Sequence, residues 1–166
     1  MKLTNLRTYV INTDRPNAGG LFWFFVKLET DDGIEGGGET AVLYTLLGLE
    51  DGYEKIMQEI FDTYLKGQNP IDRETLYHTL YVSLTAQHPD YITLGLISAF
   101  DVALWDICGK YYDTPVYNLL GGKYRDRVRT YTYIYDQDKT DTLHLSLIHI
   151  SEPTRPRLIS YAVFCL

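Results

Sequence analysis

The sequence predicts an α+β domain in which a three-stranded antiparallel β-meander is followed by a helical bundle. Three observations predict it: dense apolar and β-branched runs in the first 41 residues, helical spacing of apolar residues from Asp51 onward, and an isolated alternating segment near residue 130. Strands that precede the helices, instead of alternating with them, are typical of α+β folds.

The β-meander is predicted from three segments, namely Lys2–Thr13, Phe22–Thr30 and Ile34–Ala41. The first alternates apolar and polar residues, and the second is a run of aromatic and β-branched residues. Asp14–Gly20 separates them and is a loop by composition. Asp31-Asp32-Gly33 joins the second strand to the third, because an Asp-Gly pair supplies the positive φ that a tight hairpin requires.

The helical bundle is predicted from three apolar stripes. Asp72 is placed to cap the second helix and Thr93 to cap the third, which is the longest. Gly67 and Pro70 end the first helix. The stripes comprise Tyr53, Ile56, Met57, Ile60, Phe61 and Tyr64; Leu76, Leu80 and Leu84; and Leu96, Ile97, Phe100, Leu104, Ile107 and Cys108.

The region after the long helix predicts a short helical turn and then a new strand. The turn lies at Val116–Leu120 and is ended by Gly121-Gly122. Val128–Tyr135 then alternates as a strand that has no local partner. We interpret it as the first element of a second domain.

The last 22 residues do not resemble natural protein sequence. LSLIHISEPTR at Leu145–Arg155 and ISYAVFCL at Ile159–Leu166 resemble the in-frame translation of two constant blocks of a transposon-based sequencing adapter. Three codons lie between the blocks, as a sample barcode requires. The alternative, a native C-terminal strand, lacks any turn or partner signal. We therefore expect the natural chain to stop near His144 and residues 145–166 to be a non-native tail.

Composition disfavours nucleic acid and membranes as partners. The net charge is −7, or −8 without the tail, and no Lys/Arg cluster could match a phosphate backbone. Cys108 is alone in the natural part, which excludes an internal disulfide and a cysteine zinc site. The N-terminus lacks an export pattern, and no stretch reaches about 18 apolar residues. A cytoplasmic protein is expected.

Three sequence motifs, taken together, are specific enough to indicate a protein family. They are GIEGGGET at Gly33–Thr40, ISAFDVALWDICGK at Ile97–Lys110 and TPVYNLLGGKYRDRVRTY at Thr114–Tyr131. They resemble the N-terminal capping domain of the enolase superfamily, in its mandelate racemase/muconate lactonizing enzyme branch. The resemblance covers about residues 1–136. One departure is Gly37, where the family usually has a bulky residue, often tryptophan, so that packing behind the following loop is expected to loosen.

The resemblance implies that residues 1–123 close over the mouth of a modified TIM barrel, of which residues 124–144 contain only the beginning. It implies a parent enzyme that abstracts a proton alpha to a carboxylate, using Mg²⁺ and a lysine or histidine base. The barrel supplies the metal ligands and the base, so no catalytic or metal residue is assigned in this chain and the fragment itself is expected to be inactive and to bind no metal. An acid-sugar dehydratase is the first choice and a racemase or epimerase the second. The parent is expected to be a homo-oligomer.

Two segments correspond by this resemblance to loops that fold over the barrel mouth and read the distal end of the substrate. They are Asn12–Leu21 and Glu39–Glu50. Within them, Arg15 could pair with a substrate carboxylate or hydroxyls, Asn17 could hydrogen-bond a polyol, and Tyr44 could do either.

Four further residues have chemistry that invites a functional interpretation. His88 lies in the loop before the long helix, where function is common, but a structural role is preferred. Asp101 and Asp106 are five residues apart on one helix, which places them on different faces and predicts surface or interdomain contacts instead of a metal site. Trp105 is assigned to core or interdomain packing.

Two alternatives to the enzyme fragment stay open. The chain could be a free-standing α+β binding module, or the translation of an assembled read fragment without a function of its own. A contig that continues past the His144 codon into barrel-encoding sequence supports an enzyme parent, whereas a native stop codon supports the module.

Overall fold

The computed structural model describes residues 1–12, 22–41, 48–86, 88–129, 131–133 and 163–165. The chain divides into two compact units, Met1–Gly122 and Lys123–Leu166. The first unit has the predicted α+β architecture, with a three-stranded antiparallel sheet followed by helices.

The sheet has the order β1-β2-β3, with β1 at Leu3–Asn12, β2 at Phe22–Thr30 and β3 at Glu35–Ala41. Each strand agrees with its predicted bounds to within one residue. The predicted hairpin is also confirmed: Gly33 has a φ of +82°, and its N–H donates to the Thr30 carbonyl at 3.2 Å.

Four helices follow the sheet. Helix α1 spans Glu50–Ile60 and continues as a π-helical turn at Phe61–Leu65; α2 spans Arg73–Thr85, α3 spans Tyr91–Tyr111 and α4 spans Val116–Leu119. Helix α4 is the predicted helical turn. It ends at the two predicted glycines, where the Gly122 N–H donates to the Tyr117 carbonyl at 2.8 Å.

Two capping predictions and one burial prediction need correction. Asp90, not Thr93, caps α3, because the Asp90 carboxylate accepts the N–H of Thr93, three residues later, at 2.9 Å. Asp72 occupies the cap position of α2, but its side chain makes no cap hydrogen bond. Ile56 is 48% exposed, so the buried stripe of α1 is narrower than the spacing predicted.

The core lies between the inner face of the sheet and helix α3. Phe24, Val26 and Leu28 of β2 are buried on that face, opposite buried residues of α3. The predicted stripe of α3 is buried in full, and Ala99 and Ala103 complete it. These two small residues allow the helix backbone to approach the sheet closely.

Helix α3 comes close to the sheet at two of the three consecutive glycines of β3. A Cβ atom on Gly36 would lie 2.2 Å from the Ala103 carbonyl oxygen, and one on Gly38 would lie 2.0 Å from the Ala99 carbonyl oxygen. Gly37 faces the other side of the sheet, where a Cβ would meet only a side-chain oxygen at 3.9 Å. Gly37 therefore takes no part in the contact between sheet and helix, and the loop whose packing it was expected to loosen lies outside the described residues.

Helix α3 is long and apolar enough in composition to cross a membrane, contrary to the expectation that no such stretch exists. Half of its apolar window is buried inside the domain. A core helix of a globular protein has this combination of composition and burial.

The second unit contains a two-stranded antiparallel pairing of β4, Tyr131–Tyr133, with β5, Val163–Cys165. Strand β4 is shorter than the predicted Val128–Tyr135: residues 128 and 129 are not in a strand, and 130, 134 and 135 lie outside the described residues. Strand β5 comes from the adapter-like tail, and within the described residues it is the partner of β4.

Deleting Leu145–Leu166 is expected to increase the soluble yield of the chain and leave its melting temperature unchanged. The tail is apolar and β-prone, and segments of this type promote association. The protein left in solution after centrifugation measures the soluble yield, and circular dichroism measures the melting temperature. A pairing of two three-residue strands is marginally stable by itself. Hydrogen exchange in the intact chain should therefore be fast at Tyr131–Tyr133 despite this pairing, and slow at Phe22–Thr30. A melting temperature that falls by several degrees on deletion would mean that the tail is packed.

Candidate functional site

Strands β1 and β3 end, and β2 begins, at the level of Trp23. In the sheet register, Trp23 lies opposite Ile11 of β1 and Ala41 of β3. The two segments predicted to read the substrate therefore leave from the same end of the sheet. Arg15, Asn17 and Tyr44 belong to those segments and lie outside the described residues.

The amino-terminal turns of α3 lie at this same end. A Cβ atom on Gly95 would come within 2.8 Å of the Thr40 hydroxyl, and Thr40 is the last residue but one of β3. Helix α3 therefore begins next to the point at which the segment after β3 leaves the sheet. His88 is exposed and lies two residues before Asp90, which caps this helix.

Two buried hydroxyl groups lie beneath this end of the sheet. Thr40 and Tyr53 are each 4% exposed, and within the described part of the chain neither hydroxyl has a hydrogen-bond partner. The Tyr53 ring packs on Phe24, which is the strand partner of Thr40, with ring centroids 5.9 Å apart. Burial, followed by the negative charge of Asp90, raises the pKa of Tyr53, so its hydroxyl stays protonated at neutral pH.

Asp90 has a structural role that keeps it ionised. Its carboxylate accepts the Thr93 hydroxyl at 2.6 Å as well as the Thr93 N–H. These two hydrogen bonds lower the pKa of Asp90, with the side-chain bond contributing most. Because a general acid must be protonated, Asp90 is unsuited to that role near neutral pH.

The Asp106 and Lys110 side chains of α3 cover the free edge of β3. Gly37 N–H donates to Asp106 Oδ2 at 2.8 Å, and Lys110 Nζ donates to the Glu35 carbonyl at 2.7 Å. Lys110 also bonds Asp106 Oδ2 at 2.8 Å. An uncovered strand edge invites pairing with another chain. The Asp-x-x-x-Lys part of the α3 motif is therefore explained by structure, and its contacts lie within the domain.

Replacing Asp106 by alanine is expected to destabilise the domain by about 1 kcal/mol, because the Gly37 N–H and the Lys110 ammonium both lose a partly exposed acceptor. Chemical denaturation of the two proteins measures the difference. Glu59→Ala removes an exposed carboxylate of α1 and serves as the control, with an expected change below about 0.5 kcal/mol. Equal effects of the two substitutions would argue against the edge contact.

Trp105 packs within the domain beneath Arg73, a residue that the sequence did not indicate as important. The Arg73 guanidinium lies 4.2 Å from the centre of the Trp105 ring, and Arg73 Nη1 bonds Asp101 Oδ1 at 2.5 Å. The Arg73 and Asp101 side chains are only 16% and 23% exposed. Asp101 is therefore paired within the first unit and is mostly buried there. The two residues are 28 positions apart, so no local pattern could have indicated this pair.

The described residues do not fit a metal ion. No three His, Cys, Asp or Glu side chains are grouped so that they could hold a metal ion in the part of the chain that the structure describes, namely residues 1–12, 22–41, 48–86, 88–129, 131–133 and 163–165. Asp101 and Asp106, for which the sequence predicts structural contacts instead of a metal site, are bonded to Arg73, Lys110 and the Gly37 backbone. What the described residues provide at this end of the domain is a sheet edge and a helix start from which the two segments extend.

Comparison with known proteins decides the family. Residues 20–121 match the family described as mandelate racemase/muconate lactonizing enzyme, N-terminal domain. The chain belongs to this family. It is 37% identical over 143 residues to the D-galactonate dehydratase of Ralstonia nicotianae, an alignment that covers 86% of this chain and 34% of that protein. The capping-domain chain thus spans about a third of the length of such relatives.

Solved structures share the fold of this capping-domain chain. A mandelate racemase/muconate lactonizing enzyme from Jannaschia sp. CCS1 is 32% identical, with a TM-score of 0.74, and the match covers 89% of this chain and 37% of that one. An enolase from Agrobacterium radiobacter with bound Na and L-malate is 33% identical, with a TM-score of 0.65, and the match covers 78% of this chain and 30% of that one.

Proposed function

We propose that the chain is the capping domain of a dehydratase that acts on an acid sugar. The observation that carries this proposal is its likeness, over 143 residues, to a D-galactonate dehydratase. The enolase with bound L-malate supports it, because malate and galactonate share a carboxylate next to a hydroxyl-bearing carbon. In such a dehydration, the proton alpha to the carboxylate passes to a base, and the hydroxyl on the beta carbon takes a proton from an acid and leaves as water. The resulting enol then tautomerises to a 2-keto-3-deoxy acid.

We propose a division of labour between this chain and the rest of its parent. Residues 1–123 act as the cap, residues 124–144 begin the barrel, and residues 145–166 are the non-native tail. We assign Mg²⁺ and the catalytic base to the part of the parent outside this chain. For the metal, this agrees with the described carboxylates, which are not grouped as a metal site. When bound there, Mg²⁺ would stabilise the charge that develops on the substrate carboxylate. The parent works in the cytoplasm as a homo-oligomer.

The cap contributes substrate recognition and the exclusion of water. Arg15, Asn17 and Tyr44 belong to the two segments that leave the sheet at Trp23, and we assign them to the distal hydroxyls or carboxylate of the substrate. His88, exposed before α3, is assigned to the same end of the cap. Side chains on segments held by a rigid frame are suited to this role.

A racemase or epimerase parent is the second candidate, because the matching family carries mandelate racemase in its description. Both reactions begin with removal of the proton alpha to the carboxylate. They differ in the product, since a racemase returns the proton and releases no water. Detection of a 2-keto acid distinguishes the two.

The 166-residue chain is expected to show no turnover of D-galactonate above background, with or without Mg²⁺. The full parent, cloned from the DNA downstream of the His144 codon, is expected to produce a 2-keto acid from an aldonate and to lose this activity on chelation of the metal. Turnover by the purified 166-residue chain would contradict the division of labour. A parent that inverts a stereocentre without forming a keto acid would contradict the dehydratase assignment.

A further inference from the structure

Two buried hydroxyl groups lie next to Phe24 without a hydrogen-bond partner in the described part of the chain. Thr40 is the strand partner of Phe24, and the Tyr53 ring packs on the Phe24 ring. Thr40 Oγ1 and the Tyr53 hydroxyl oxygen are themselves out of contact with solvent. Buried polar groups in folded proteins are nearly always hydrogen-bonded, either to protein or to ordered water. A partner is therefore expected for both hydroxyls.

The Thr40 hydroxyl borders a space that a glycine leaves open. Gly95 lies in the second turn of α3, and a Cβ atom on it would be 2.8 Å from Thr40 Oγ1. Apart from the backbone of its own helix and its chain neighbours, no other atom of the described residues lies within 4 Å of that Cβ position. Gly95 is itself partly exposed. A molecule as small as water therefore has room beside the hydroxyl and a way in past Gly95.

The charges near Tyr53 favour a neutral partner over an ion. The negative charge of Asp90 acts on the Tyr53 hydroxyl and disfavours an anion there. A metal ion is disfavoured as well, because the Asp90 carboxylate is already bonded to Thr93 and the described residues contain no group of three metal ligands. Water is neutral and both donates and accepts hydrogen bonds, so it suits the two hydroxyls.

The two hydroxyls also bracket the segment that carries Tyr44. Thr40 is the last residue but one of β3, before this segment, and Tyr53 is in the first turn of α1, after it. Hydrogen bonds at both positions would tie β3 and α1 to the start of α3. Binding side chains are held in a productive geometry when the elements at their base are fixed by surrounding hydrogen bonds.

We propose that the Thr40 and Tyr53 hydroxyls bind ordered water, and that through it both residues position the segment that carries Tyr44. Buried water molecules of this kind satisfy polar groups that protein atoms leave unpaired, and they are costly to remove. Thr40 and Tyr53 are thus positioning residues and do not touch the substrate. The positioning role rests on the proposed function, because it requires an enzyme that binds an acid sugar through this segment. The water site does not depend on that function.

Substitutions that keep the shape of the side chain test the water site in the 166-residue chain. Tyr53→Phe and Thr40→Val each remove one hydroxyl. If that hydroxyl binds water, a hydrogen bond is lost, and the melting temperature is expected to fall by about 3–5 °C. If the hydroxyl has no partner, its removal relieves a desolvated polar group and the melting temperature rises. Tyr81→Phe is the control, because Tyr81 is 42% exposed, and it should melt within about 1 °C of the unsubstituted chain.

Oxygen-17 relaxation dispersion of water detects the bound molecules directly. Water that stays in a protein long enough to tumble with it adds to the amplitude of the dispersion. We expect a smaller amplitude in the chain that carries both Tyr53→Phe and Thr40→Val, and an unchanged amplitude in Tyr81→Phe. The water site is overturned by a melting temperature that stays or rises with either hydroxyl removed, or by equal amplitudes in the double variant and the unsubstituted chain.

Steady-state kinetics of the parent enzyme test the positioning role. Tyr53→Phe and Thr40→Val are expected to raise KM for D-galactonate about fivefold and to change kcat by less than about twofold, because a segment that only binds the substrate contributes equally to the ground state and the transition state. Thr40→Ser keeps the hydroxyl and should have nearly the KM of the unsubstituted parent. An unchanged KM with a lowered melting temperature would confine both residues to a structural role and overturn the positioning role.

Failure of the proposed reaction is distinguishable from failure of the water site. A parent that does not dehydrate D-galactonate, while the 166-residue chain shows the expected losses of stability and of dispersion amplitude, would reject the reaction and keep the site. The comparison of KM is then made with the acid that this parent does accept.

Discussion

Replacing Gly38 by alanine is expected to destabilise the first unit by about 3 kcal/mol or more and to lower its melting temperature by roughly 15 °C. The new Cβ would lie 2.0 Å from the Ala99 carbonyl oxygen, well inside van der Waals contact. That oxygen belongs to the backbone of α3, so relief requires the whole helix to move away from the sheet. Movement of the helix would open the core around Phe24 and Phe100, which are completely buried.

The neighbouring glycine provides a matched control. Gly37 faces away from α3, and a Cβ there would meet only Asp106 Oδ2 at 3.9 Å. Its backbone is outside the positive-φ region, so alanine can adopt it, and a less flexible unfolded chain stabilises the protein by up to about 1 kcal/mol. Thermal melting followed by circular dichroism should therefore separate the two variants. Similar melting temperatures for Gly38→Ala and Gly37→Ala would mean that the sheet and α3 are not in such close contact.

The glycine pattern shows what a single sequence can and cannot indicate about this fold. The strands were predictable to within one residue because alternation and the Asp32-Gly33 turn are local signals. That two of the three glycines face a helix 60 or more residues later could not be deduced from spacing. A glycine has no side chain to mark the face that it occupies.

Contacts between distant residues account for the other differences. Asp106 bonds the backbone of Gly37, 69 residues away, so the motif that identified α3 gave no indication of the strand edge that it covers. The cap of α3 was misplaced by three residues because Asp90 and Thr93 are both good capping residues and only the backbone geometry distinguishes them. Of the candidate site residues, His88 lies in the described part of the chain, and its role stays a prediction.

Replacing Arg73 by alanine is expected to destabilise the first unit by about 2–3 kcal/mol, the second largest effect among these predictions. The substitution leaves the Asp101 carboxylate, 23% exposed, without its guanidinium partner. It also removes the planar group that lies over the Trp105 ring at 4.2 Å. Breaking one side of a mostly buried ion pair costs far more than the pair contributes, since the remaining charge stays partly desolvated. Chemical denaturation at neutral pH measures this loss.

Two further variants separate the charge of Arg73 from its shape. Arg73→Lys keeps a positive charge near Asp101 but loses the flat surface over Trp105, so an intermediate loss of stability is expected. Lys66→Ala breaks the exposed pair with Asp62, in which the side chains are 57% and 43% exposed, and should cost only about 0.3–0.5 kcal/mol. If Arg73→Ala costs no more than Lys66→Ala, the pair with Asp101 is solvated and α2 is held to α3 by apolar contacts alone. If Arg73→Lys matches the unsubstituted chain, charge is sufficient and stacking on Trp105 adds nothing.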